Sequence, residues 1–191
     1  MLLHPTLWRT CRVLAGKTRL RLLRQVVNNP GQTVTRLADA ADIHLSRASQ
    51  ELRRLQSRGL IQAERNRNTV KYFPISDPLV STAKPLLDSM KSAFSKAQPA
   101  SDALAIGIAT ALSHPRRIAI LTQLLKGPMH FDDLRTAVHI PAVSLQRHLR
   151  LLQRLDLARQ ARRTWCFIPN RHPLTQCLVR ILNSSEPSAG R

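Results

Sequence analysis

The chain has 191 residues, with 30 Lys+Arg against 11 Asp+Glu and a formal net charge of +19. Its hydrophobic fraction of 43% is enough for packed cores and excludes a disordered basic tail, while 4% aromatics argues against a base-stacking platform for single strands. A charge of this sign points to a polyanionic partner: DNA, RNA or an anionic membrane surface.

No apolar run reaches the 18 residues that a membrane span needs. The stretch from Met1 to Arg9 lacks the basic-then-apolar order of a secretory signal. Cys11, Cys166 and Cys177 are odd in number and far apart, so they suit a reducing cytoplasm rather than a disulfide framework. The expected location is cytoplasmic and nucleoid-associated.

In chain order, a helix is expected from Pro5 to Leu14. Another is expected from Lys17 to Asn28, with Leu20, Leu23 and Val27 on one face. Asn28-Asn29-Pro30-Gly31 stops it. Thr35 is placed to cap a short helix carrying Leu37, Ala38 and Ala41. A longer helix follows, with Ala48, Leu52 and Leu55 inward and Arg47, Gln50, Arg53, Arg54 and Arg58 outward, ended by Gly59. Two strands are expected at Leu60–Glu64 and Thr69–Phe73 around Asn66-Arg67-Asn68. Asp77-Pro78 opens a last helix with Leu79, Ala83, Leu86, Leu87, Met90 and Phe94 inward, kinked or divided at Pro85.

The pattern then recurs. Leu14, Arg19, Leu23 and Pro30 return as Leu112, Arg117, Leu121 and Pro128 at an offset of 98. Leu37, Ile43, Leu52, Arg53 and Leu60 return as Leu134, Ile140, Leu149, Arg150 and Leu157 at an offset of 97. Pro74, Pro78, Leu79 and Leu87 return as Pro169, Pro173, Leu174 and Leu182 at an offset of 95. The offset changes only where loops are expected, so two copies of one small domain are implied. The second copy runs through Ser101–Leu112, Pro115–Lys126, Asp132–Ala137, Pro141–Arg154, a hairpin at Leu157–Ile168 and Pro173–Leu182. The expected domains are 1–97 and 98–182, with a frayed tail at 183–191.

Helix, short helix, turn, long helix and hairpin is the winged helix-turn-helix order, in which the second helix of the motif enters the major groove. The expected fold is therefore mainly α (α+β): two winged helix-turn-helix domains, each with a small two-stranded β-hairpin wing. The stretch Leu37-Ala38-Asp39-Ala40-Ala41-Asp42-Ile43-His44-Leu45-Ser46-Arg47-Ala48-Ser49-Gln50-Glu51-Leu52-Arg53-Arg54-Leu55 resembles the motif of ArsR-type repressors. So do Ser113-His114-Pro115-Arg116-Arg117-Ile118-Ala119-Ile120-Leu121 and Gln146-Arg147-His148-Leu149-Arg150 in the second copy, the closer match. MarR-type and plasmid-replication winged helices are similar. The resemblance implies dimerisation through first and last helices, here folded into one chain as an internal pseudo-dimer. Leu7, Trp8, Leu14, Leu86, Leu87 and Met90 would then pack against Leu104, Ile108, Leu112, Leu178, Ile181 and Leu182.

The candidate DNA contacts follow from side-chain chemistry. Arg reads guanine bidentately and Gln reads adenine, while Ser donates to phosphates or base edges. In the first copy these are Ser46, Arg47, Ser49, Gln50, Arg53 and Arg54, with Arg65, Arg67 and Lys71 at the wing tip. In the second they are Ser144, Gln146, Arg147 and Arg150, with Arg159, Arg162 and Arg163 on its hairpin. Ala142 and Val143 start the second reading helix without hydrogen-bonding groups, so the first copy is expected to be the stringent reader.

No catalytic grouping is visible, and an enzyme is not expected. ArsR-type metal sites use Cys pairs on the motif helix or His and carboxylates on the last helix. This chain offers only His172 and Cys177, so no metal and no cofactor is expected; Cys11 and Cys177 could lie close enough for a thiol switch. His148 is expected to pack or to touch phosphate. The expected partner is double-stranded DNA, and the function transcriptional regulation, most simply repression. The competing readings are a plasmid or mobile-element replication or partition protein and an RNA-binding protein.

Overall fold

A computed structural model of the chain describes residues 7–95 and 99–184. The expected helix start at Pro5 and the tail beyond Ser184 lie outside them. The first half begins with α1 (Leu7–Leu14), α2 (Lys17–Asn28) and a two-residue strand β1 (Gln32–Thr33). It continues through α3 (Val34–Ala40), α4 (Leu45–Gln56), the strands β2 (Gln62–Asn66) and β3 (Thr69–Phe73), and α5 (Ala83–Phe94). The second half repeats the order as α6 (Pro99–Leu112), α7 (Pro115–Lys126), β4 (Met129–His130), α8 (Phe131–Val138) and α9 (Ala142–Arg154). β5 (Ala158–Ala161), β6 (Thr164–Phe167) and α10 (Pro173–Ser184) complete it. The fold is mainly helical with small antiparallel sheets, compatible with a winged helix.

Backbone chemistry sets the boundaries of α4. Leu60 N–H bonds Leu55 O at 3.2 Å and Gly59 N–H bonds Gln56 O at 2.8 Å, closing the helix with Gly59 at φ +68°. A Cβ on Gly59 would also come within 2.9 Å of the Asp77 Cβ. The second half makes the same closure with Leu157 on Leu152 and Asp156 on Gln153, Asp156 standing at φ +52°. Left-handed residues recur at matching places elsewhere: Asp42 and His139 between the motif helices, and Arg67 and Arg162 at the hairpin turns.

Arg19 and Arg117 explain why an arginine recurs there. Arg19 Nε donates to Val13 O at 2.7 Å and its Nη2 to Arg12 O at 3.3 Å, tying α2 to the open carbonyls ending α1. Arg117 makes the corresponding bonds to Ala111 O and Thr110 O.

Several expectations are corrected. Each sheet has three strands, ordered β1-β3-β2 and β4-β6-β5, not two. The missed strands are two residues long, too short for an alternation signal, and the first pairs Gln32 with Tyr72 and Thr33 with Lys71. Thr33 rather than Thr35 caps α3, its Oγ1 accepting from Arg36 N–H at 3.5 Å. β2 starts at Gln62, because Leu60 and Ile61 are buried in the core before pairing begins. Asp77-Pro78 forms a turn, with Asp77 Oδ1 accepting from Leu79 N–H at 2.9 Å, and leaves Leu79 92% exposed rather than inward. α5 starts later, at Ala83, so Pro85 falls in its first turn, where no N–H donor is needed.

The two halves share one apolar core. α1 packs on α6 and α5 on α10, and α2 touches both α5 and α6. Leu7, Leu14, Leu86, Leu87 and Met90 are buried, as are Ile108, Leu112, Leu178 and Leu182. Trp8 and Ile181 pack against that core half-buried, and Leu104 is 40% exposed, outside the seam. Arg24 reinforces the junction. It pairs with Asp102 of α6, lies 4.5 Å from the Phe94 ring centroid and donates to Phe94 O at 3.3 Å.

Candidate nucleic-acid interface

α4 buries Ala48, Glu51, Leu52 and Leu55. That leaves Ser46, Arg47, Gln50, Arg53 and Arg54 exposed, with Ser49 half-buried at the edge. Positions three and four apart share a helix face, so the exposed residues form one stripe. Arg47 reaches Thr18 Oγ1 at 3.4 Å, which places the start of α2 beside the reading face. Leu45, 51% exposed, adds an apolar contact at the tip.

The hairpin carries Arg65 and Arg67 near its turn, both exposed. Lys71 is exposed too, but mid-strand, opposite Glu64 and Thr33, not at the tip. β2 and β3 pair over five residues each, the length expected, with β2 shifted two residues later.

In the second half α9 buries Leu145, Leu149 and Leu152. Gln146, Arg147 and Arg150 are exposed, Ser144 is half-buried, and Val143 at the tip is 65% exposed. The hairpin turn is Arg162-Arg163, with Arg159 exposed on β5. His130 Nδ1 lies 3.1 Å from Arg163 O and steadies that turn.

Glu51 is the residue that sequence reasoning passed over. Its two oxygens take Arg19 at 2.9 Å and Arg54 at 2.9 Å. Burial alone raises the carboxyl's pKa, but the hydrogen bonds and charges of Arg19 and Arg54 hold it below the usual range. Arg54 is thus an ion-pair partner as well as an exposed cation. A lone acid on an arginine-rich helix, one that breaks its outer charge pattern by facing inward, is the signal that marks it.

The position matching Glu51 in the second half is His148, whose ring centroid lies 4.9 Å from that of His114. His114 Nδ1 accepts from Arg116 N–H at 3.1 Å and caps α7, so His148 packs against a helix start. Burial, with His114, Arg117 and Arg116 adding positive charge, pushes the His148 imidazole down to about 4. A base depressed in the folded state favours folding above its ordinary value, and that advantage is lost as pH falls toward the folded pKa. The stability of the chain is therefore expected to drop between about pH 6.5 and 4. Urea midpoints of the natural chain and of His148→Gln, measured at pH 7 and pH 5, check this. A drop of equal size in both proteins would assign the acid sensitivity elsewhere.

His172 is buried and caps α10, Nδ1 accepting from Leu174 N–H at 3.1 Å, with Nε2 3.4 Å from Ser101 Oγ. Burial pushes the Cys11 thiol up to about 12, with Cys177 adding to the rise, and burial raises Cys177 as well. Both are therefore held as thiols rather than reactive thiolates. Among the described residues no group of three or more His, Cys, Asp or Glu could hold a metal ion, and no helix is long and apolar enough to cross a membrane.

Residues 17–69, from the start of α2 to the first residue of β3, match the model of the MarR family. The matched span contains the motif helices α3 and α4, and supports a DNA-binding transcriptional regulator. No curated protein matches the chain.

Proposed function

We propose that the chain is a sequence-specific duplex-DNA-binding repressor. In it two winged-helix copies, 1–97 and 98–182, form an internal pseudo-dimer with α4 and α9 in successive major grooves. The observation that carries this reading is the exposed stripe Ser46, Arg47, Gln50, Arg53 on a helix whose other face is buried. Arg65, Arg67, Lys71, Arg162 and Arg163 hold the flanking backbone, and Arg54 adds to the field around α4. The contacts of α1 with α6 and of α5 with α10 support the pseudo-dimer. The similarity of Ser113–Leu121 and Gln146–Leu152 to ArsR-type repressors supports repression by occupancy of a promoter. The protein works in the cytoplasm at the nucleoid, without metal or cofactor.

The two reading helices differ, so the site is an imperfect inverted repeat. Arg47 and Gln50 of α4 make bidentate contacts, and Ser144, Gln146, Arg147 and Arg150 of α9 read the laxer half, where Val143 meets a thymine methyl. Selection from random duplex DNA is expected to return one stringent and one lax half-site. Arg47→Ala or Gln50→Ala costs about 1–3 kcal/mol on that site and relaxes one base pair. If Arg147→Ala abolishes recognition while Arg47→Ala leaves it intact, the second copy is the reader. If structured RNA outcompetes duplex DNA, the proposal fails.

A further inference from the structure

A second basic feature lies where α1 meets the C-terminal part of α4. A cleft of about 410 Å³ is lined by Trp8, Arg9, Arg12, Arg19, Arg54 and Arg58, together with Val13. Arg19 and Arg54 share Glu51. Arg9, Arg12 and Arg58 have no carboxylate within ion-pair distance among the described residues. Trp8 supplies a half-buried aromatic wall, with the Arg9 guanidinium 5.2 Å from its ring centroid.

The second half does not repeat this arrangement. At the same offsets Trp8, Arg9 and Arg12 become Ile106, Gly107 and Thr110, and Arg54 and Arg58 become Leu151 and Leu155. A Cβ on Gly107 would stand 3.5 Å from Leu155 Cδ2, so that half closes the place by apolar packing. The corresponding place in the second half is therefore filled without arginines. Three guanidiniums with no carboxylate partner among the described residues repel each other around one cleft, and a multiply charged anion relieves that repulsion. Guanidinium forks match phosphate oxygens bidentately, and the tryptophan suits a planar base.

We propose that this cleft binds a phosphorylated small molecule of nucleotide size, its phosphates on Arg9, Arg12 and Arg58 and its base against Trp8. Arg54 and Arg58 lie on or just beyond α4, so the occupant sits against the end of the reading helix. Occupancy does not depend on the DNA-binding proposal and is measured first without DNA, duplex affinity of the same variants being measured separately.

Calorimetric titration of the full chain with ADP and with inorganic pyrophosphate tests the site. Both are expected to bind saturably, ADP more tightly. The double variant Arg12→Gln/Arg58→Gln is expected to weaken both at least tenfold, and Arg12→Lys/Arg58→Lys to recover part of the loss. Trp8→Ala is expected to weaken ADP and spare pyrophosphate. Thermal midpoints matching the natural chain establish that each variant is folded. Affinities unchanged in the Gln double variant overturn the proposal. So does a variant that loses duplex affinity while neither phosphate binds, since these arginines would then face the DNA backbone.

Discussion

Raising salt from 50 to 200 mM is expected to weaken duplex binding by about 10³ to 10⁵, provided that roughly six to ten phosphates are neutralised. The surface makes that number reachable. Arg47, Arg53, Arg65, Arg67 and Lys71 are exposed in the first half, and Arg147, Arg150, Arg162 and Arg163 in the second. Among the described residues Arg19, Arg24, Arg54, Lys84 and Arg135 stand in ion pairs and Arg117 on backbone carbonyls, and none of the exposed cations just named is among them. Each phosphate contact releases counterions, so if Arg163 and Lys71 hold phosphates as proposed, Arg163→Ala or Lys71→Ala is expected to lower the slope by about one and to weaken every sequence alike. Equilibrium binding to a specific and a scrambled duplex across that salt range measures both effects. A flat response removes duplex DNA as the main partner.

How much was legible in the sequence depended on the length of each signal. α2, α4, α7, α9 and β3 have enough residues for their period to show, and their bounds lie close to those read from the pattern. The exposed stripe of α4 was legible for the same reason. β1 and β4 were not, because two residues carry no alternation and their pairing is fixed by a strand about forty residues later. Leu79 falls outside the expected apolar face because Asp77-Pro78, which reads as a helix opening, is a turn held by the aspartate carboxylate, and the helix starts only at Ala83. Glu51 was missed because its role appears only when α2 is laid beside α4 and Arg19 reaches it across 32 residues.

Glu51→Ala is expected to cost about 3 kcal/mol of folding stability, the low end of the range for breaking a buried ion pair. The low end applies because the Arg19 side chain keeps 19% exposure against 9% for Glu51. The second half shows why the first depends on this carboxylate. Among the described residues Arg117 pairs with no acid, and it donates to Ala111 O, Thr110 O and Ser113 Oγ. The residue matching Ser113 in the first half is Ala15, which has no hydroxyl. Arg19 keeps two carbonyls when Glu51 is removed, but its Nη1 loses its acceptor. Ser113 accepts from Arg117 Nη2, so Ala15→Ser in the Glu51→Ala background gives Arg19 Nη2 a second acceptor and leaves Nη1 without its carboxylate; it is expected to recover no more than about 1 kcal/mol, the net worth of one hydrogen bond. The pH dependence has a definite sign. The folded carboxyl lies below its ordinary value, so its contribution is present above the usual carboxylate range and lost as pH falls through the folded pKa. Urea unfolding at pH 7 is expected to separate Glu51→Ala widely from the natural chain, and the gap to narrow below about pH 4. A gap under ~1 kcal/mol at pH 7 would show that water satisfies Arg19 as well as Glu51 does, as exposed ion pairs allow.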